Sequence, residues 1–325
     1  MKVFEKKNCL FVGILLLVFM IVGSFFDFQI STALFDPDSL FGMLFASYGQ
    51  LPAMLCISTA GTLLIKIADH QKKVLLILSY LFGILLNAFA ILGITMDPML
   101  YIPHMSIVLS LIIAVILVGV VNFIMLKLTQ DANRQQIKKV IILFIGVMFL
   151  EMIIINIIKI PWARPRMRMI TAQNQVFQPW WVIGSDMKDH LMALGIAAEE
   201  FKSFPSGHTG NAACALLLGV LPVICQKLKG KENLLFFIGV IFTLTVAFSP
   251  INRWLGLPKL SILISSIYSG FISASFISFT ETFLSEARSS ICFENFVTPI
   301  PLDVVNSILS SFSFSVKPPY TFSLE

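Results

Sequence analysis

Charge is what this sequence has least of. Acidic and basic residues fill 13% of its 325 positions, about half the share found in soluble globular chains. With 57% of the residues hydrophobic, an ordinary soluble domain is excluded. Cysteine is also sparse: Cys9, Cys56, Cys214, Cys225 and Cys292. Most lie in or beside apolar runs, and no two have metal-ligand spacing, so neither a disulfide framework nor a zinc site is expected. Histidine occurs four times, at His70, His104, His190 and His208, and none follows the last. The net charge of +5 is small and reads as cytoplasmic loops, not as a nucleic-acid-binding surface. No internal repeat is visible.

What is abundant is apolar sequence in long runs. The first, "LFVGILLLVFMIVGSFF", covers 10–26, and a run of about 18 or more such residues reads as a transmembrane helix. It follows Lys2, Lys6 and Lys7, as a signal peptide would, but it is long and lacks a small-x-small cleavage site, so it reads as a retained span. Seven spans are expected, at 9–27, 43–67, 73–95, 105–127, 138–158, 208–226 and 234–250. A weaker eighth, serine-rich, lies at 260–281. The expected fold class is therefore all-α, a polytopic transmembrane helical bundle packed through van der Waals contact and small residues. Residues 1–250 form the integral membrane domain.

Positive charge orients the spans. The amino terminus, the turn holding Lys72 and Lys73 beside Lys66, the turn holding Arg134, Lys138 and Lys139, and the turn holding Lys227, Lys229 and Lys231 alternate along the chain. All four can face the cytoplasm. The intervening loops 27–39 and 95–104 contain no Lys or Arg. One segment departs from the rule. The long loop 159–204 should lie outside, yet it holds Lys159, Arg164, Arg166, Arg168, Lys188 and Lys202. The expected setting is a bacterial plasma membrane, with the amino terminus cytoplasmic.

Two blocks in that region point to chemistry. In "KIPWARPRMR", 159–168, Lys159 and Arg166 would share a face if the stretch were helical, although Pro161 and Pro165 argue against a regular helix. Arg164 and Arg168 add guanidiniums, whose forked donors match phosphate oxygens. Taken alone, this block equally fits an interfacial segment against anionic lipid heads. The second block is "FPSGHTG", 204–210, where the sixth span begins. Ser206 can cap that helix, Gly207 lets backbone approach a ligand, and His208 can donate a proton near neutral pH. The alternative is a capped helix with an interfacial histidine. Both blocks fall on the same side of the membrane at the ends of adjacent spans, so cations and a proton donor converge where a phosphate headgroup would lie. Positioning and charge stabilisation dominate phosphoryl transfer.

In these residues the chain resembles the type 2 phosphatidic acid phosphatases, membrane relatives of the vanadium haloperoxidases. Their first motif, Lys, six residues, Arg-Pro, corresponds to Lys159 and Arg166, with Met167 in place of proline. Their second, Pro-Ser-Gly-His, is complete at 205–208. The resemblance covers about residues 1–250 and implies a six-helix core. It implies that Lys159 and Arg166 bind phosphate, Ser206 and Gly207 hydrogen-bond its oxygens, and His208 protonates the leaving group as general acid, without metal or other cofactor. The implied substrate is a membrane lipid or polyprenyl phosphate or diphosphate, cleaved at the external face; no protein or nucleic-acid partner is implied.

The third motif, Ser-Arg, five residues, His, three residues, Asp, supplies the family's nucleophilic histidine. Here Ser249 fits the serine, Pro250 stands where arginine is expected, and Arg253 is a nearby substitute. No histidine follows. His190, with Asp186 or Asp189 beside it, is a remote candidate for the vacancy. The composition shifts at the same point: residues 261–325 contain 16 serines, against 12 in the first 260. Segment 251–325 is thus atypical and Ser-rich, one weak span followed by disorder, consistent with a disrupted reading frame after Ser249 or with divergence. Two functions follow, a lipid phosphatase weakened by the missing nucleophile, or a non-catalytic protein that binds an anionic headgroup. A transporter is disfavoured because Glu151 is the one charge expected in mid-span, where it either pairs with a cation from a neighbouring span, the favoured reading, or marks a buried polar contact. Trp180 and Trp181 suit either a cover over the site or an interfacial anchor.

Overall fold

A computed structural model of the chain describes residues 6–33, 39–166, 170, 177–184 and 186–249. The weak eighth span, Arg253, Arg168 and the Ser-rich segment lie outside the described residues. Helices α1 (Lys6–Ala33), α2 (Leu40–Tyr48), α3 (Leu51–Lys66), α4 (Lys73–Tyr101), α5 (Ile107–Leu128) and α6 (Arg134–Trp162) come first. They are followed by α7 (Asp186–Ala193), a 3₁₀ turn at Ala198–Phe201, α8 (Gly207–Ala213) running on as 3₁₀ helix over Cys214–Val223, and α9 (Glu232–Phe248). No strand occurs among the described residues. Several starts follow from local chemistry: Ser39, Ser106 and Asn133 each accept a hydrogen bond from the first turn of α2, α5 and α6.

Among the described residues, five helical segments are long and apolar enough to cross a membrane: Leu10–Ile30, Leu40–Lys66, Lys73–Tyr101, Ile107–Leu128 and Arg134–Trp162. The other two expected spans are shorter apolar helices, Gly207–Val223 and Glu232–Phe248. An α-helix as short as the latter reaches about 25 Å, against about 30 Å of bilayer hydrocarbon. Gly207–Val223 gains reach from its 3₁₀ stretch, which rises about 2 Å per residue.

Three departures from the expected boundaries position the site. Span two is broken at Gly49-Gln50 between α2 and α3, where Gln50 is not part of either helix. Helix α4 continues past residue 95, through Pro98 to Tyr101, so Asp97 is helical and not in a loop. Helix α6 extends to Trp162 and carries Lys159 in its last turn. At the opposite end of α6, Arg134 Nη2 donates to the Ile67 carbonyl at 2.8 Å, and Lys66 Nζ donates to Thr129 Oγ1 at 2.8 Å and to the Thr129 carbonyl. The basic turns after α3 and α5 therefore meet at the end of α6 away from Lys159.

Small residues set the packing of α3 on α4. A Cβ on Gly61 would lie 2.7 Å from the Gly83 carbonyl and 2.9 Å from Leu86 Cβ. Beside this crossing Ser58 Oγ donates to Asn87 Oδ1 at 2.8 Å, and Asn122 Nδ2 reaches both at 2.8 Å. The main core joins α3 and α6 to the Cys214–Val223 stretch through Ala53, Leu63, Phe144, Val147 and Leu217. The outer faces of α4 and α5 leave Leu81, Phe89, Ile116 and Phe123 exposed, as a lipid-facing surface requires. Gly61→Ala should destabilise the protein by about 1–3 kcal/mol, read as a lower melting temperature in detergent. Gly119→Ala, with nothing within 4 Å of its new methyl, should leave it unchanged.

Candidate functional site

Helix α6 ends because Pro161 and the left-handed Ala163 (φ 47°) turn the chain. The Ala163 N–H still bonds the Lys159 carbonyl at 3.4 Å. Left-handed geometry costs a non-glycine residue about 1–2 kcal/mol, so the turn must be held from outside. Trp162 Nε1 donates to the Trp180 carbonyl at 2.5 Å, and the Gly184 N–H to the Trp162 carbonyl at 3.2 Å. Beyond the turn, two backbone bonds run to the segment before the second motif. The Arg166 N–H donates to Glu200 at 2.9 Å, and the Ser203 N–H to Arg164 at 3.1 Å. This short ladder, and not a shared helical face, joins the two blocks. The conditional helical reading is corrected: the helix stops at Trp162, before Arg166.

Arg164 braces the ladder from beneath. Its side chain is 1% exposed, and Nη2 donates to Asp27 Oδ2 on α1 at 2.7 Å. Nε donates to the Gln178 carbonyl at 2.8 Å, and the guanidinium lies 5.2 Å from the Phe177 ring. Burial lowers the Arg164 pKa, and the Asp27 carboxylate opposes that shift. Arg164 is engaged through Nη2 by Asp27 and through Nε by Gln178, while its buried Nη1 has no hydrogen-bond partner among the described residues.

The second block follows directly. Ser206 is the N-cap of α8, its Oγ accepting from the Thr209 N–H at 3.4 Å and lying 3.3 Å from Thr209 Oγ1. Phe204 packs between Trp162 and Trp180, with ring centroids 5.5 and 6.1 Å away, while Trp181 is exposed. At Gly207 a Cβ would come 3.8 Å from Lys159 Nζ. The ammonium of the first motif thus lies against the backbone of the second. Lys159 makes no hydrogen bond or ion pair among the described residues; Arg166, Glu199, Lys202 and Glu151 act on it at longer range. Arg166 Nη2 is 3.9 Å from Glu199 Oε2, and Lys202 Nζ is 2.5 Å from Glu199 Oε1. The hydrogen bond from Lys202 holds the Glu199 carboxyl below its ordinary pKa. Lys159, Arg166 and Lys202 therefore gather around Glu199, and clustered cations of this kind attract anions.

Glu151 corrects another expectation. It is buried, its Oε1 has no hydrogen-bond partner, and no cation stands within 4 Å of it. Lys159 lies two turns along the same helix. A methyl on Gly210 would collide with Glu151 Oε1 and Ile155 Cδ1, so α8 packs tightly on α6 here.

His208 is enclosed by residues outside both motifs. Its Nε2 is 3.2 Å from Gln50 Nε2 and 4.0 Å from Asp97 Oδ2. Tyr101 meets the ring edge-on at 5.7 Å. Gln50 Nε2 also donates to Asp97 Oδ2 at 2.8 Å, and Asn211 Nδ2 donates to Gln50 Oε1 at 2.5 Å. Sequence reading missed Gln50, Asp97, Tyr101 and Asn211. The one available signal is an aspartate next to an apolar run, in a stretch read as an outer loop without Lys or Arg. The exposed side chains of His70, His104 and His190 make no hydrogen bond, ion pair or ring contact among the described residues, and the Asp186 side chain lies outside them. The Ser249 hydroxyl bonds back to the Val246 carbonyl at 2.9 Å. No group of three or more His, Cys, Asp or Glu suited to a metal occurs among the described residues.

Comparison with protein-family models, with curated proteins and with solved structures finds no match to this chain. The site therefore rests on its own geometry: cations at the end of α6 beside a backbone open at Gly207, and one imidazole held at α8. Arg164→Ala should take the guanidinium away from the buried Asp27 carboxylate, destabilising the protein by about 3–5 kcal/mol. Adding Asp27→Asn should recover much of that loss in thermal unfolding.

Proposed function

We propose that the chain is a polytopic membrane protein of the type 2 phosphatidic acid phosphatase kind, whose site takes the phosphate or diphosphate of a lipid or isoprenoid. The observation that carries this reading is the Lys159 ammonium, without an ion-pair partner among the described residues, set against Gly207 of the Pro-Ser-Gly-His string. Lys159 and Arg166 would hold the phosphoryl oxygens. Gly207 would let them approach the backbone, since any side chain there would meet the ammonium. His208 would act as general acid toward the leaving oxygen. Arg168 and Arg253, outside the described residues, complete the proposed phosphate-binding set, and Ser206 contributes by fixing the start of α8. The proposed setting is the external face of a bacterial plasma membrane, with the amino terminus in the cytoplasm and the six-helix core spanning.

A second reading, headgroup binding without turnover, has its own support. No second imidazole joins His208 among the described residues, and phosphoryl transfer through a histidine nucleophile loses most of its rate without one. One experiment addresses both. The purified chain in detergent is incubated with phosphatidic acid and with an isoprenyl diphosphate, and released phosphate and bound lipid are measured. Catalysis predicts release that disappears in His208→Ala while binding persists. Pure binding predicts retention without release. In either case Lys159→Ala should weaken binding roughly tenfold to a hundredfold, the worth of a hydrogen bond to a charged group. Unchanged binding in Lys159→Ala would refute the site.

A further inference from the structure

We infer that Gln50 and Asp97 are positioning residues for His208, and that they fix its neutral ring with the proton on Nδ1. The inference rests on the reading of His208 as the acid of the site. The argument starts from donor and acceptor rules. In the structure the Gln50 atom 2.8 Å from Asp97 Oδ2 is its amide nitrogen, the donor that a carboxylate oxygen accepts from. At the other end of the same amide, Asn211 Nδ2 donates to Gln50 Oε1. Both bonds use one orientation of the Gln50 amide.

That amide nitrogen has a second hydrogen, and it faces His208 Nε2 at 3.2 Å. Nε2 must then accept, which leaves the single ring proton of neutral imidazole on Nδ1. Tyr101 against the ring edge restricts rotation. Asp97 and His208 are each largely enclosed, with side chains 16% and 23% exposed, so water competes poorly for these bonds. The device is supplied by the break between α2 and α3 and by the overrun of α4 beyond Pro98. Neither belongs to the two motifs. Held in this way the ring keeps one orientation, so that when it takes up a proton the same nitrogen always faces the site; an amide packed behind an imidazole is a general means of fixing it.

The test is 15N NMR of the full chain in detergent, with histidine labelled at both ring nitrogens. The His208 signals are assigned by their loss in His208→Gln. The wild type should show a well-separated pair for His208, the pattern of one tautomer protonated at Nδ1. Gln50→Leu removes the clip, and the pair should collapse toward a common averaged shift. Asp97→Asn keeps the shape but no longer forces the Gln50 amide one way, and it should also lose the single-tautomer pattern. Its near-identical size guards against a folding artefact, checked by an unchanged melting curve. An averaged pair in the wild type, or a wild-type pattern in both variants, overturns the inference. Inorganic phosphate titrated into the same samples reports separately on the anion site. No shift of the His208 ring signals on phosphate addition would refute the functional reading while leaving the tautomer result to stand on its own.

Discussion

Two backbone hydrogen bonds, from Arg166 to Glu200 and from Ser203 to Arg164, are the constraint on which the site depends. They tie the exit of α6 to the entry of α8 across a loop of more than thirty residues. They add to the direct packing of α8 on α6 at Gly210, Glu151 and Ile155, which sets Gly207 close to Lys159. The bonds need a rigid base, because a two-bond ladder alone is marginal. The Arg164–Asp27 pair supplies it, anchoring the turn to α1. Such a buried pair contributes little net stability, but losing one partner is costly. Its value here is registration.

The same logic explains the aromatic wall. The left-handed turn at Ala163 is unfavourable for alanine, and the Trp162–Trp180–Phe204 stack encloses it. Burial of large rings beside a strained turn offsets its cost through area removed from water. Trp162 and Trp180 thus act in folding the site, whereas the exposed Trp181 is free to meet lipid or solvent.

Much of the architecture was legible in the sequence, for a physical reason. In hydrocarbon every backbone group must be satisfied within a helix, so apolar runs translate directly into helices such as α4, α5 and α6. The capping role of Ser206 was legible too, because it is local chemistry. What could not be read were the elements set by tertiary contact. Asp97 and Gln50 carry no motif, and their partnership with His208 exists only once α2, α4 and α8 meet. Glu151 looked like half of an ion pair because a buried charge usually has a partner; here it faces Gly210 instead.

The central claim is the juxtaposition of Lys159 with Gly207, and cross-linking tests it most directly. Lys159→Cys and Gly207→Cys would be placed in a chain whose native cysteines are replaced, treated with a short bifunctional thiol reagent, and cleaved within 171–200. The account predicts that the two fragments stay joined, while a control pair at Lys139 and Gly207 separates. Separation of the 159–207 pair under the same conditions would contradict it.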